Sequence, residues 1–208
     1  MIKKLALIVA AAASIFTASE VNAEESIETE VSVFSRHVWR GAPGPSAISI
    51  QPSVTMPVKT NIGQTEINIW GQIPIQGDDS EYDFSITQDV KGYASIGVTS
   101  YYYNGPFLKS DSHDIELSVS SNLYGINVLA GRFVSSDSIQ DDTYIELGYS
   151  LGGISLSAGA GDGAYSEDGS GFKLVNTGLS FNTDSGYGAS LIYNPDTENA
   201  FFVVSKTW

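Results

Sequence analysis

The sequence predicts an all-β protein, a transmembrane antiparallel up-and-down β-barrel of about twelve strands. Three observations indicate this fold. Polar and apolar residues alternate along nearly the whole chain, and the alternating runs are about ten residues long. Short connections between the runs alternate with longer ones. A tilted strand that crosses a bilayer needs about 9–11 residues, whereas strands of globular proteins usually have about 5–6.

The first 23 residues are predicted to be a cleaved secretory signal peptide, which leaves residues 24–208 for the barrel. A basic start (MIKK) precedes an apolar segment at residues 5–18, and VNA at residues 21–23 suits a signal peptidase. The apolar segment is shorter than the about 20 residues of a transmembrane helix. The alternative is an uncleaved N-terminal anchor.

The charge and the absence of cysteine exclude several classes of function. The predicted signal carries Lys3, Lys4 and Glu20, so the remaining chain has 8 basic and 23 acidic side chains. A surface this acidic does not bind nucleic acid, because phosphate contacts need Lys and Arg. With no cysteine there are neither disulfides nor thiolate metal sites. No linker or shift in composition divides the chain, which predicts one domain.

Each alternating run predicts one strand. In residues 45–58, for example, Ile48, Ile50, Val54 and Met56 share one face, and polar residues occupy the other. Ten strands are the alternative if the two short runs, 153–160 and 186–193, do not span. The twelve runs are 28–40, 45–58, 64–75, 80–90, 93–103, 112–121, 125–134, 142–151, 153–160, 172–182, 186–193 and 199–208.

The lengths of the connections alternate with strand number. Even-numbered runs are followed by tight turns (KTNIG, KG, LYG, GG and TDSG), and odd-numbered runs mostly by longer polar loops such as GDGAYSEDGSG. Outer-membrane barrels have short periplasmic turns and longer extracellular loops. A soluble sandwich has no reason to sort its loops in this way, so the pattern predicts a bacterial outer-membrane protein.

The final strand predicts which face touches lipid. Phe202, Val204, Lys206 and Trp208 share one face there. Aromatic rings favour the membrane–water interface, and a lysine near it can extend its charge into water. We therefore expect Phe202, Val204 and Trp208 to lie against lipid and to serve as the signal that the barrel-insertion machinery reads.

The opposite face is small and polar, and its charged and aromatic members are the candidate pore-lining residues. Charge on the lipid face costs about 2–4 kcal/mol for Arg or Lys at the midplane, so the lumen is the cheaper location. On the first run, Val31, Val33 and Trp39 are expected to face lipid, and two arginines are expected on the inner face. The candidates are Arg36, Arg40, Glu66, Asp83, Asp89, Glu116, Glu146, Trp70 and Tyr101.

Two interpretations of these residues stay open. Basic and acidic walls facing each other would filter solutes by charge, or the same residues would form ion pairs that plug and stiffen the barrel. Trp70 and Tyr101, together with Tyr93 and Tyr103, would stack against sugars or simply fill space.

An enzymatic function is the less favoured alternative. Outer-membrane hydrolases pair a serine with a histidine. His37 is expected on the lipid-facing register near Ser35, and His113 stands beside Ser112 at a loop base, but neither lies in a nucleophile-elbow motif. The acidic loops at residues 76–83, 135–142 and 161–171 could attract calcium but lack EF-hand spacing, and such loops are expected to be solvated. We therefore expect no catalysis, no metal and no cofactor.

The first hairpin carries a resemblance to a known family. The stretch FSRHVWRGAPGPSAISIQPSVTM contains Ser35, Arg36, Trp39, Arg40 and Gly41, followed by Gln51-Pro52. In this it resembles the TorF-like or Gcw-type family of bacterial outer-membrane porins of unassigned substrate. His37 departs from the pattern, because the family often has an aromatic residue there. Weaker similarities follow at Trp70-Gly71, Tyr101–Tyr103, Asn194-Pro195 and the last strand. The resemblance implies a channel-like barrel and no substrate.

The sequence therefore predicts a passive, porin-like channel for small solutes in the outer membrane. Its expected partners are outer-membrane lipid, the barrel-insertion machinery and the solutes. A plugged structural or adhesive barrel that acts through its extracellular loops is the alternative, and an outer-membrane lipid or ester hydrolase is a more distant one.

Overall fold

The computed structural model describes residues 26–44, 48–77, 80–103, 113–135 and 142–208. The predicted signal peptide, residues 24–25 and parts of four loops (45–47, 78–79, 104–112 and 136–141) lie outside these residues. The strands are β1 (Glu28–Phe34), β2 (Val38–Trp39), β3 (Ala42–Pro43), β4 (Ser49–Thr60), β5 (Gly63–Pro74), β6 (Glu81–Val90), β7 (Ala94–Tyr103), β8 (His113–Leu123), β9 (Ile126–Ser135), β10 (Thr143–Leu151), β11 (Ile154–Gly161), β12 (Lys173–Asn182), β13 (Tyr187–Asn194) and β14 (Asn199–Thr207).

Twelve of these strands form a closed antiparallel barrel. Each barrel strand pairs with its neighbour in the chain, and β1 pairs with both β4 and β14, which closes the sheet. The short runs that left ten strands possible are the full strands β11 and β13, each of which pairs on both sides. The predicted all-β barrel of twelve strands is therefore confirmed.

The two ends of the barrel differ in their connections. Tight turns follow β4, β6, β8, β10 and β12, and the start of β1 and the end of β14 lie at this same tight-turn end. In the turns Lys91-Gly92 and Tyr124-Gly125 both residues have positive φ angles. This is the type I′ geometry, whose twist matches that of paired strands. The longer connections lie at the opposite end, called here the loop end.

The outer face of the barrel is apolar and the inner face is mostly polar. Outward side chains such as Ile69, Leu147, Leu156 and Phe202 are each more than half exposed. Their neighbours along the same strands, such as Glu146 and Ser157, point into the barrel and line an internal cavity. In the described part of the chain, no helix has the length and hydrophobicity to cross a membrane.

The predicted first strand, residues 28–40, is wrong beyond Phe34. The backbone N–H of Ser35 still donates to Val204 O on β14 at 2.9 Å, and then the chain leaves the barrel wall. It turns into the lumen as a small hairpin of β2 and β3. The alternation had placed Trp39 and His37 towards lipid, but both side chains pack inside the barrel. Burial of the Trp39 ring against lumen aromatics overrides the period-two pattern.

Adjacent cysteine substitutions test this alternation. Because the chain has no cysteine, Leu156→Cys and Ser157→Cys each introduce a single thiol. In the detergent-refolded barrel, a charged thiol reagent is expected to modify Ser157→Cys at least about tenfold faster, because thiolate forms in the watery lumen and is suppressed in an apolar layer. Labelling rates measured by mass spectrometry check this, and equal rates at the two positions would contradict the assigned faces.

Candidate functional site in the barrel lumen

The inward hairpin, residues 37–44, is called here the plug. Its two short strands pair through Val38–Pro43 and Trp39–Ala42, and Gly44 N–H donates to His37 O at 2.9 Å. Arg40 and Gly41 form its tip with φ angles of 50° and 84°. Both values belong to a type I′ turn, which is unfavourable for a non-glycine residue such as Arg40. The tip therefore needs contacts with the barrel wall to hold it.

Gly41 presses the tip of the plug against β12. A Cβ atom at this position would overlap the carbonyl oxygen of Val175, so a glycine is required by contact as well as by its φ angle. The side-chain amide of Asn194 on β13 donates to Gly41 O at 3.3 Å. The plug is thus in direct contact with the wall formed by β12 and β13.

Arg40 connects the plug to the opposite wall through Glu116 on β8. Its Nη1 and Nη2 atoms donate to the two carboxylate oxygens at 2.7 and 2.8 Å, a bidentate pair. Nη1 also donates to the hydroxyl of Tyr165 at 2.7 Å. The Arg40 side chain is 11% exposed and that of Glu116 2%. Gly131 on β9 leaves the room that the carboxylate occupies.

Three aromatic rings surround the Arg40 guanidinium. Its central carbon lies 4.5 Å from the ring centroid of Trp39, 4.4 Å from that of Tyr144 and 5.4 Å from that of Tyr165. These distances are within the range of cation–π attraction. Glu116 also accepts a hydrogen bond from the Tyr101 hydroxyl at 3.2 Å. Rings and carboxylate together form a cage for one cation, called here the Arg40 cage.

The Arg40 guanidinium remains charged in this environment. Burial by itself would lower its pKa, but the hydrogen bond with Glu116 and the attraction of that carboxylate outweigh burial and raise the pKa above its usual value. The plug is therefore held by a buried ion pair with two charged partners. Removal of either partner would leave the other charge buried and unpaired, which is costly.

The loop-end half of the lumen is filled by the plug and a cluster of side chains. Trp39 packs against the buried residues Tyr101, Phe133 and Tyr165, with ring centroids 5.6–6.2 Å apart. Tyr144 and Val175 complete this cluster and are both fully buried. The barrel therefore has an aromatic core on its inner side at this end, although the inner face is polar elsewhere.

His37 anchors the other side of the plug. Its Nδ1 atom lies 3.1 Å from the side-chain nitrogen of Gln51, which donates, so Nε2 carries the proton of a neutral imidazole. The ring lies 5.5 Å from Trp70, and Glu81 is 4.0 Å from Nε2. Burial lowers the pKa of His37 to about 4. The desolvation cost of the charged ring therefore outweighs the distant carboxylate, and His37 is neutral at pH 7.

A polar cavity of about 720 Å³ lies between Arg40 and the tight-turn end. Serine, asparagine and glycine supply most of its wall, and Gly92 and Tyr93 line it at the turns. Glu146 points into it and accepts hydrogen bonds from the Tyr144 hydroxyl at 2.6 Å and the Asn176 amide at 3.0 Å. The cavity can hold a small polar solute and leads to the Arg40 cage.

The structure brings three of the sequence-predicted residues together, namely Arg40, Glu116 and Tyr101, and places Glu146 beside them. Trp70 lies apart from them. Its ring contacts the ring of His37 instead of facing a path for solutes. Asp83 is on the inner face of β6, and its Oδ1 is the one buried side-chain oxygen of the described residues that has no hydrogen-bond partner.

The other predicted residues lie near the ends of the barrel. Asp89 lines the cavity at the tight-turn end and accepts from Gly92 N–H. Glu66 is exposed at the same end, with Gln64 donating to it at 3.0 Å. Arg36 stands at the loop end, exposed, with its guanidinium 4.9 Å from the Phe201 ring centroid. The expected basic wall on β1 is therefore wrong, because both arginines follow the end of that strand and lie apart. The pore-lining role of all these residues stays a prediction.

Sequence reasoning missed Tyr165, Tyr144 and Phe133. Tyr165 belongs to a short 3₁₀-helix (Gly163–Tyr165) in a loop that was interpreted as solvated because it is acidic. Tyr144 offered a usable signal, since the alternation puts this large ring on an inner face with Glu146 and Gly148. A bulky aromatic among small inner residues indicates a filled lumen at that level. Nothing local marks Tyr165 as buried.

The described residues contain no group of three metal-binding side chains. His113 begins β8, and the His37 ring bonds with Gln51 and not with a serine. No family model matches the chain, and no curated protein matches it.

A double-mutant cycle tests the Arg40–Glu116 pair. Arg40→Met is expected to lower the free energy of unfolding by about 3 kcal/mol, because Glu116 would stay buried without its partner. Adding Glu116→Gln should restore about 1–2 kcal/mol of this loss, since the buried charge is removed. Urea unfolding of the two single variants and the double variant, followed by tryptophan fluorescence, measures the coupling. Strictly additive effects would mean that the pair is not formed.

The pH dependence of stability tests the neutral His37. The unfolded ring binds a proton near its model value of 6.5 and the folded ring only near 4. Between these values the unfolded ring holds more protons than the folded ring, so the contribution of His37 to stability falls as the pH drops from 6.5 towards 4, by up to about 3 kcal/mol. His37→Gln should lose this part of the slope. Urea unfolding at a series of pH values compares the two proteins, and identical slopes would contradict burial of His37.

Proposed function

We propose that the protein is an outer-membrane channel for small solutes and that the plug closes it in the conformation described. The observation that carries this proposal is a cavity with carboxylates in its polar wall inside a closed barrel, with the plug and the aromatic cluster packed around it between that cavity and the loop end. A barrel built only as a scaffold has no need of an open polar cavity behind its plug. Opening requires the plug to leave the Arg40 cage.

The apolar outer face and the last strand support a membrane location. Outward Leu, Ile, Val and Phe side chains make the outer face largely apolar, and a bilayer would cover them. At the tight-turn end, the Lys206 Nζ donates to Ser185 O at 2.9 Å and lies 4.7 Å from the Trp208 ring centroid. An aromatic ring and a lysine at this level suit the periplasmic interface. The resemblance of residues 34–56 to TorF-like or Gcw-type porins points the same way.

The lumen charges favour cations. Carboxylates alternate onto the inner faces of β1, β5, β6, β8 and β10, while Arg40 is neutralised by Glu116. Arg36 lies at the loop end beside the Phe201 ring. An acidic passage raises the local concentration of cations and repels anions. We propose a modest preference for small cationic or neutral solutes.

A plugged structural or adhesive barrel is the second candidate, and the packing of the loop end favours it. The Arg40–Glu116 pair is buried, and the aromatic cluster fills the space around it. An ion-pair network also joins two loops, since Lys173 Nζ lies 2.8 Å from Asp168 and 3.1 Å from Asp196. Ordered loops of this kind would suit contact with a partner.

Single-channel conductance separates the two candidates. The wild-type barrel in a planar bilayer with a salt gradient is expected to open rarely, with a reversal potential that indicates cation preference. Arg40→Ala removes contacts of the plug, and Gly41→Ala adds a Cβ that overlaps the Val175 carbonyl oxygen. Each should raise the open probability at least about tenfold, a change of about 1.4 kcal/mol in the closing equilibrium. Arg36→Ala is the control and should leave it unchanged.

Two results would contradict the channel. One is electrical silence of the wild type and of both plug variants, although each migrates as a folded, heat-modifiable barrel; the structural candidate would then stand. The other is strong anion preference in the variant that lacks both Arg36 and Arg40, since the remaining lumen charge is acidic.

A further inference from the structure

The Arg40 cage has the composition of a receptor site for a cation. A buried carboxylate, aromatic rings and phenol hydroxyls surround the guanidinium of Arg40. Of these groups only Trp39 belongs to the plug, whereas Glu116 and Tyr144 belong to barrel strands and Tyr165 to the loop before β12. Aromatic rings with a carboxylate are the means by which proteins bind guanidinium and alkylammonium groups. The plug thus places a side chain in a cation site that it does not itself build.

We propose that the lumen contains a binding site for a small guanidinium-bearing solute, formed by Glu116, Tyr101, Tyr144 and Tyr165, and that Arg40 occupies this site when the plug is in. The solute competes with Arg40 for the cage and thereby releases the plug. This proposal names the solute class of the proposed channel. It rests on the channel function only in requiring that the solute can enter the lumen.

The wall is shaped around this site independently of the plug. A Cβ at Gly131 would collide with the Glu116 carboxylate, and one at Gly159 would collide with the Tyr144 hydroxyl. Two barrel strands therefore lack side chains at the positions where the carboxylate and the ring project. Tyr144 is held by hydrogen bonds with Glu146 and Asn176, so its ring keeps its position without Arg40.

The polar cavity provides a path to the Arg40 cage, and carboxylates line that path. The cavity runs from the tight-turn end to Arg40, and Glu146 and Asp89 line it. A cation that enters from the turns would pass carboxylates up to Glu116. An anion or an apolar solute would have no corresponding partner.

Charge and planarity of the solute decide the competition. A guanidinium presents two parallel N–H donors to Glu116, as Arg40 does, whereas an ammonium offers a point charge. Since Arg40 is tethered, it acts at an effective concentration on the order of millimolar. A free guanidinium compound must therefore exceed this concentration, or bind with additional contacts in the cavity, before it displaces the plug.

Binding to the detergent-refolded barrel, without a membrane, tests the site. Ethylguanidinium is the probe and ethylurea its neutral, equally planar control. Arg40→Ala empties the cage, so ethylguanidinium at millimolar concentration should raise its thermal unfolding temperature. The Arg40→Ala/Glu116→Gln variant should bind at least about tenfold more weakly, because the carboxylate is lost. Wild type should also bind about tenfold more weakly than Arg40→Ala, because Arg40 competes.

A second measurement keeps the proposal testable if Arg40→Ala does not refold. Val38→Cys puts the only thiol of the chain at a half-buried position of the plug in an otherwise intact protein. Ethylguanidinium should accelerate its labelling by a water-soluble maleimide, and ethylurea should not. No acceleration, equal action of the two probes, or equal binding with and without Glu116 would overturn the site.

Failure of the site and failure of the channel are distinguishable. A barrel that binds ethylguanidinium but carries no current would support the binding site and contradict the channel function. A barrel that conducts ions but neither binds the probe nor releases its plug would support the channel function and contradict the proposed solute class.

Discussion

The need to pair Glu116 governs the inner architecture of this barrel. Its carboxylate is 2% exposed, and a charge buried to that degree is tolerated only with a partner of opposite charge. Arg40 supplies that partner from a segment that would otherwise continue β1. The cost of a positive φ at Arg40, and the departure of residues 35–44 from the wall, are both offset by this pair and by the aromatic contacts around it.

The plug divides the lumen into two environments. On the loop side, the rings of Trp39, Tyr101, Phe133 and Tyr165 pack as in the core of a soluble protein. On the turn side, small polar residues leave a cavity of about 720 Å³. One hairpin thus stands between a packed zone and an aqueous one. Because its contacts with Glu116 and β12 are made by Arg40 and Gly41, substitutions at these two positions distinguish a gate from a permanent closure.

Sequence reasoning succeeded where each residue had only to be assigned to one of two faces. In β10, Tyr144, Glu146 and Gly148 were placed inside and Ile145 and Leu147 outside, as the register with β9 and β11 requires. The assignment of faces failed at Trp39 and His37, because alternation does not indicate where a strand ends. Arg40 and Glu116 were both assigned to the lumen. They are 76 positions apart in the sequence, and no local pattern indicated that their side chains form a pair.

The sequence by itself determined the all-β class, the faces of most strands and the sorting of turns from loops, since each depends on local periodicity and turn chemistry. It predicted about twelve strands, and the pairing of β11 and β13 on both sides excluded ten. Only the tertiary structure decided that the first strand ends at Phe34 and that residues 37–44 enter the lumen. The physical reason is that burial of Trp39 and pairing of Arg40 are gains that exist only once β7, β8, β10 and the loop before β12 have come together around them.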